Sequence, residues 1–176
     1  MRIPFWLNFN LAIAFAFLVL FAFQQYVIFP IQDSLITWGA FSGSLLFLPH
    51  GIRVFAVMTG GTKVAGGLLL GHWAAGYFVT KSPVDQNVIQ GLLSILAVYL
   101  PFYLFKFKEI NLKNILLLAA VSSLVNSQLQ TIYLSFSGIN GNVYLIFSYL
   151  IGDLLGSLAC FYLFKSLPNI LRRYNS

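Results

Sequence analysis

Apolar residues run along this chain in long blocks with short polar interruptions between them. A membrane-crossing helix needs about 20 apolar residues, at 1.5 Å of rise each, to span roughly 30 Å of hydrocarbon. Six blocks reach or approach that length. The first covers about 6–29 and stays apolar until Gln24 and Gln25, with Pro30 expected to end it. The second, about 35–60, is broken at Pro49, and the backbone is expected to be non-helical over Pro49 to Gly51. The third, about 62–79, is short and rich in small residues. The fourth, about 87–105, carries Pro101 as a kink near its end. The fifth, about 114–136, has a polar centre at Asn126, Ser127, Gln128 and Gln130. The sixth, about 143–164, carries Asp153. The pattern predicts one all-α polytopic membrane bundle of about six spans over residues 1–176, its second segment broken by proline. That segment can also be read as two short pieces folded back as a re-entrant hairpin.

The least ordinary stretch is 47–78, FLPHGIRVFAVMTGGTKVAGGLLLGHWAAGYF. A backbone break in hydrocarbon leaves N–H and C=O groups unpaired unless protein or a water-filled cavity covers them. Arg53 adds to the cost, because a guanidinium at membrane depth is expensive unless it is paired or hydrated. Packing alone would rarely keep both features. The stretch is therefore read as the functional face.

Composition supports the membrane reading. Hydrophobic residues make up 59% of the chain and charged residues 8%, with mean hydropathy +0.85. A soluble domain carries roughly 25% charged residues, so a soluble fold would lack polar surface. The net charge of +6 is scattered between apolar blocks instead of forming a basic groove, which argues against nucleic acid as a partner. Arg2, Lys63, Lys106, Lys108, Lys113, Lys165, Arg172 and Arg173 fall on one side of the six-span scheme, and only Lys81 on the other. By the positive-inside rule both termini are expected in the cytoplasm, with the chain in a bacterial inner membrane. The lone Cys160 excludes an intrachain disulfide or thiolate cluster and reads as a small buried hydrophobe. No signal peptide is expected, since the first apolar block is too long for one.

Counting rise along the blocks brings His72, Asp153, Asn126, Gln128 and His50 toward one level, with Arg53 a turn away from His50. Polar groups from several helices converging at mid-depth suit a binding pocket, and His50, Arg53, Asn126, Gln128 and Asp153 are the candidate ligand-binding residues. Each also has a plainer reading. Arg53 and Asp153 are expected within ion-pair distance, either as a structural pair fixing helix register or as gate and ligand contacts. His50 beside the proline can simply bond a freed carbonyl. His72 reads as a buried histidine before it reads as a haem or metal ligand, and no cofactor is named. The amides of 126–130 serve equally as interhelical glue, and Trp38, Trp73 and Tyr77 suit interfacial anchors.

The pairs Gly39 and Gly43, Gly67 and Gly71, and Gly152 and Gly156 are each four apart, so each lies on one helix face and lets backbones approach. Ala12 and Ala16 make a similar pair. Membrane lipids and another membrane or cytoplasmic protein are the expected partners. Hydrolytic motifs are missing, and Asp33, Asp85, Glu109 and Asp153 fall in separate places, so no enzymatic activity is expected.

Two stretches resemble the membrane-associated sensor domains of the MASE type. One is LPHGIRVFAVMTGGTKVAGGLLLGHWAAGY, with a Pro-x-Gly turn before a small-residue helix. The other is YLIGDLLGSLACFYLF, which is similar to the family's Gly-Asp-x-x-Gly helix at Gly152, Asp153 and Gly156. The resemblance implies a sensor-like or ligand-binding module without catalytic output of its own, signalling through another chain. The family usually has about eight spans and an output domain, while six spans and no output domain are read here. Two alternatives remain open. One is the substrate-binding component of an energy-coupling-factor transporter, which Ala12 and Ala16 resemble; the other is a structural accessory subunit of a larger membrane complex.

Overall fold

The computed structural model describes residues 5–35, 44–107, 109–136 and 143–174, with side chains except at 143–145 and 166–174. Gly39, Gly43 and Trp38 lie outside the described residues. Within them the protein is helical, with no strand. The helices are α1 (Phe5–Phe23), α2 (Phe29–Leu35), α3 (Leu48–Gly60), α4 (Ala65–Ala75), α5 (Val84–Phe105), α6 (Leu112–Phe136) and α7 (Val143–Tyr174). Five helical runs among the described residues are long and apolar enough to cross a membrane. Together they form a helical bundle of five to six spans.

Burial follows membrane logic. Phe5, Phe15, Tyr26, Phe78 and Leu104 are exposed, while Gln24, His50, Arg53, Ser122, Ser123 and Asp153 are buried. An apolar exterior around a partly polar interior reverses the soluble pattern and places the polar chemistry inside the bundle.

Pro30 does not end the first helix. A widened π-turn over Gln24–Ile28 joins α1 to α2, and the N–H of Phe29 bonds the Gln24 carbonyl five residues back. A proline in a regular helix clashes with the carbonyl four residues before it and has no N–H to give. The wider turn sits just ahead of Pro30, where that mismatch falls.

The expected break at Pro49 to Gly51 is also displaced. Those three residues form the first turn of α3, where a proline's missing N–H costs nothing. The non-helical stretch lies just before, over 44–47. From there α3 runs to Gly60, and the backbone turns at Gly61, whose φ of +55° is open to glycine without strain. Were 48–80 one straight helix, Arg53 and His72 would lie about 28 Å apart. In fact Arg53 Nη2 lies 3.4 Å from His72 Nδ1. So α3 and α4 are the arms of a hairpin.

α4 packs along α1 through the predicted glycines. A methyl group on Gly67 would meet the Asn10 backbone, and one on Gly71 would meet Phe17 and Ala14. Asn10 seals this contact. Its side-chain oxygen accepts from the Gly67 N–H at 2.6 Å, and its amide donates to the Lys63 carbonyl at 2.7 Å. Of the alanine pair, Ala12 faces outward and Ala16 packs against the core.

Gly152 and Gly156 do pack closely, but against the broken segment and not a helix. A Cβ on Gly152 would lie 1.9 Å from the Ser44 carbonyl oxygen, and one on Gly156 would lie 2.1 Å from that of Phe47. Gly51 completes the fit, with Cys160 and the Gly156 carbonyl where its side chain would be. The trough along α7 is thus the bed on which the break rests.

Candidate functional site

The break brings backbone groups into a buried place, and the fold supplies the N–H groups of Leu45 to Leu48 with partners. The Phe47 N–H donates to the Gly152 carbonyl at 2.8 Å. The Leu45 N–H donates to Gln32 Oε1 at 2.8 Å, and the Leu48 N–H to Gln24 Oε1 at 3.4 Å. Gln24 also donates to the Ser44 hydroxyl. These glutamines, on the widened turn and on α2, meet the demand that a backbone break makes in hydrocarbon. The sequence reading noted Gln24 only as the end of an apolar block and did not single out Gln32.

Beside the break, α3 opens with His50 and carries Arg53 one turn later. His50 Nε2 lies 3.0 Å from the Ser122 hydroxyl of α6, which itself donates to the Ala119 carbonyl. Ser122 therefore accepts from Nε2–H, and Nδ1 is left facing Asp153 Oδ2 at 3.3 Å. Both residues are fully buried. A bare ring nitrogen facing a bare carboxylate would repel it, so the pair carries one proton at this approach and is neutral as a unit, although Nδ1 makes no hydrogen bond of good geometry. Asn126 donates to the same carboxylate oxygen at 3.3 Å.

The expected Arg53–Asp153 ion pair is not formed: His50 and Asn126 both approach Oδ2 of the carboxylate, and its Oδ1 is left without a hydrogen-bond partner. Arg53 turns toward α4 and α1. Its Nη2 donates to His72 Nδ1, which fixes His72 as a neutral ring with its proton on Nε2. The guanidinium carbon sits 5.2 Å from the Phe17 ring centre and 5.6 Å from that of Phe47. Two such contacts are worth about 0.5–2 kcal/mol each, which offsets part of the desolvation cost without supplying a counter-charge. Arg53 Nη1 is buried and has no hydrogen-bond partner.

Arg53 lines a cavity of about 230 Å³. The walls around it come from His72, Asn126, Ser94, Gln130 and Tyr149, with Phe21, Phe29 and Phe47 on the α1–α3 side. Toward the α4–α5 connection the lining continues through Thr80, Ser82, Asn87 and Gln90. Gln130 is braced by Ser94 Oγ at 3.1 Å and the Gln90 carbonyl at 3.3 Å. Among the described residues no aspartate or glutamate lines this cavity, and Arg53 is the formal charge in its wall.

The predicted site residues divide accordingly. His50, Arg53, Asn126 and Asp153 are gathered into one buried cluster, with Arg53 and Asn126 at the cavity and the other two behind them. Gln128 is not among them. It lies on the exposed side of α6, because two residues along a helix turn a side chain about 200° away from Asn126. Gln130, four residues from Asn126, shares its face and lines the cavity in its place. Asn87, Ser94 and Tyr149 were not singled out. Among the described residues, no three His, Cys, Asp or Glu side chains converge as a metal-binding group. Trp73 and Tyr77 stack at 5.6 Å and are both exposed, as interfacial anchors would be.

No family model matches the chain, and no curated protein or solved structure matches it either.

Proposed function

We propose that this chain is a membrane-embedded binding module for a small polar ligand, reached from the side of the α4–α5 connection. The observation that carries this is Arg53, a buried cation with an unpartnered nitrogen, whose side chain lines a cavity walled by polar and aromatic residues. A group so expensive to bury, left partly unsatisfied beside open space, suits a ligand contact better than a strut. The loop charges favour an extracytoplasmic α4–α5 side with both termini inside, and a bacterial inner membrane is the proposed setting. Sensing is the role favoured for the bound state. Its support is that the two stretches resembling MASE sensor domains touch here, through Gly51 against Cys160 and Gly156 and through His50 against Asp153. A partner protein then reads the state of the bundle.

Native mass spectrometry after gentle extraction from the source membrane tests this. The expected spectrum shows one small mass per chain, absent from a folded Ser94→Phe variant that fills the cavity. A fixed multi-protein assembly carrying no small mass in any preparation would overturn the reading in favour of an accessory subunit.

A further inference from the structure

We infer that the ligand is a small hydroxycarboxylate, its carboxylate on Arg53 and its hydroxyl donating to Asn126; this rests on the binding-module reading above. Charge gives the first half. Asp153 is the buried acid of this cluster, and it shares a proton with His50, so that pair is neutral and cannot balance Arg53. His72 accepts from Arg53 and is neutral too. The guanidinium thus has no carboxylate in contact with it, sits between two aromatic rings, and leaves Nη1 unpartnered. A carboxylate satisfies such a donor through a charge-assisted hydrogen bond in a water-poor site. An ammonium ligand would meet no carboxylate in the wall. A phosphate dianion would meet one cation where two or more are usually gathered.

The second half comes from another buried atom. Asn126 commits its amide nitrogen to Asp153, which leaves its Oδ1 as an acceptor without a partner. Asn126 also lines the cavity. An orphan donor and an orphan acceptor on two residues of one cavity wall suit a ligand with an acceptor group and a separate donor, each reached by a small side-chain rotation. The volume of about 230 Å³ corresponds to seven or eight waters at about 30 Å³ each. That is room for a ligand of a few carbons.

The test uses the full chain in nanodiscs of neutral phosphatidylcholine. Glycolate, lactate and glycerate are titrated beside lactamide, 1,2-propanediol, ethanolamine and inorganic phosphate, following heat of binding and melting temperature. The hydroxy acids are expected to bind at least about tenfold tighter than the neutral and cationic probes. Propionate, which lacks the hydroxyl, is expected to bind about tenfold weaker than lactate, and Asn126→Ala to erase that difference. Arg53→Lys keeps the charge and is expected to retain weakened binding, with Arg53→Met abolishing it in protein that still folds. Lactamide binding as well as lactate, or phosphate binding more tightly than every acid, overturns the carboxylate assignment. So does a failure of all these probes while native spectra still carry a small mass, and in each case the binding module itself survives.

Discussion

Gln24, on the widened turn of the first helix, accepts from the backbone N–H of Leu48 at 3.4 Å and donates to the hydroxyl of Ser44. One side chain thus serves both edges of the non-helical segment. The irregular winding that accommodates Pro30 also sets this residue in place.

Replacing it should therefore cost more than a surface change. Gln24→Leu leaves the Leu48 N–H and the Ser44 hydroxyl without their partner inside the bundle. The expected loss is about 1–3 kcal/mol of stability. Reversible unfolding in mild detergent measures it, and a change under about 0.5 kcal/mol would mean that the glutamine is dispensable to the break.

The trough on α7 makes a sharper contrast. Gly152→Ala drives a methyl group into the Ser44 carbonyl, a backbone atom with little freedom to yield. Gly66→Ala, exposed on α4 with its nearest neighbour at 3.6 Å, should be neutral or slightly stabilising through helix propensity. Folded yield and melting temperature should fall steeply for the first and hold for the second. Equal behaviour would deny that the break rests on α7.

Pairing inside the cluster can be read by coupling energies. A double-mutant cycle on His50→Ala and Asp153→Asn should return about 1–3 kcal/mol, as for buried groups in contact. The same cycle on Arg53→Met and Asp153→Asn should return less, because those side chains do not touch. A reversed order would restore the Arg53–Asp153 pair that the sequence reading expected.

Orientation is open to chemical labelling. Cys160 is buried and is the chain's one cysteine, so the native protein should resist a membrane-impermeant maleimide. In intact cells Ser82→Cys should react from outside, and Asn111→Cys only after the inner face is exposed. Labelling in the opposite order would invert the bundle and carry the cavity mouth to the cytoplasm.

Much of this architecture is legible in the residues, for identifiable reasons. Long apolar blocks can only be buried as helices in lipid, so the bundle follows from their length. The meeting of His50, Arg53, Asn126 and Asp153 follows from rise per residue, because their depths are set along each helix. What depth cannot supply is azimuth and partner. Gln128 and Gln130 sit at nearly the same level, yet one faces outward and the other lines the cavity. Asp153 could reach either cation by level, and the lateral placement of α3 against α6 and α7 decides for His50. The two prolines mislead in the same way. Pro30 is absorbed by a π-turn, and Pro49 starts a helix because 44–47 is held by Gln24, Gln32 and Gly152, all distant in sequence.

The last helix has a geometric consequence of its own. Its 32 residues measure about 48 Å at 1.5 Å each, against roughly 30 Å of hydrocarbon. The far end of this helix stands about 30 Å along the chain beyond Asp153, past Pro168. With the fulcrum at the glycine bed, a tilt of about 5° would sweep that end through nearly 3 Å, close to the diameter of a water molecule.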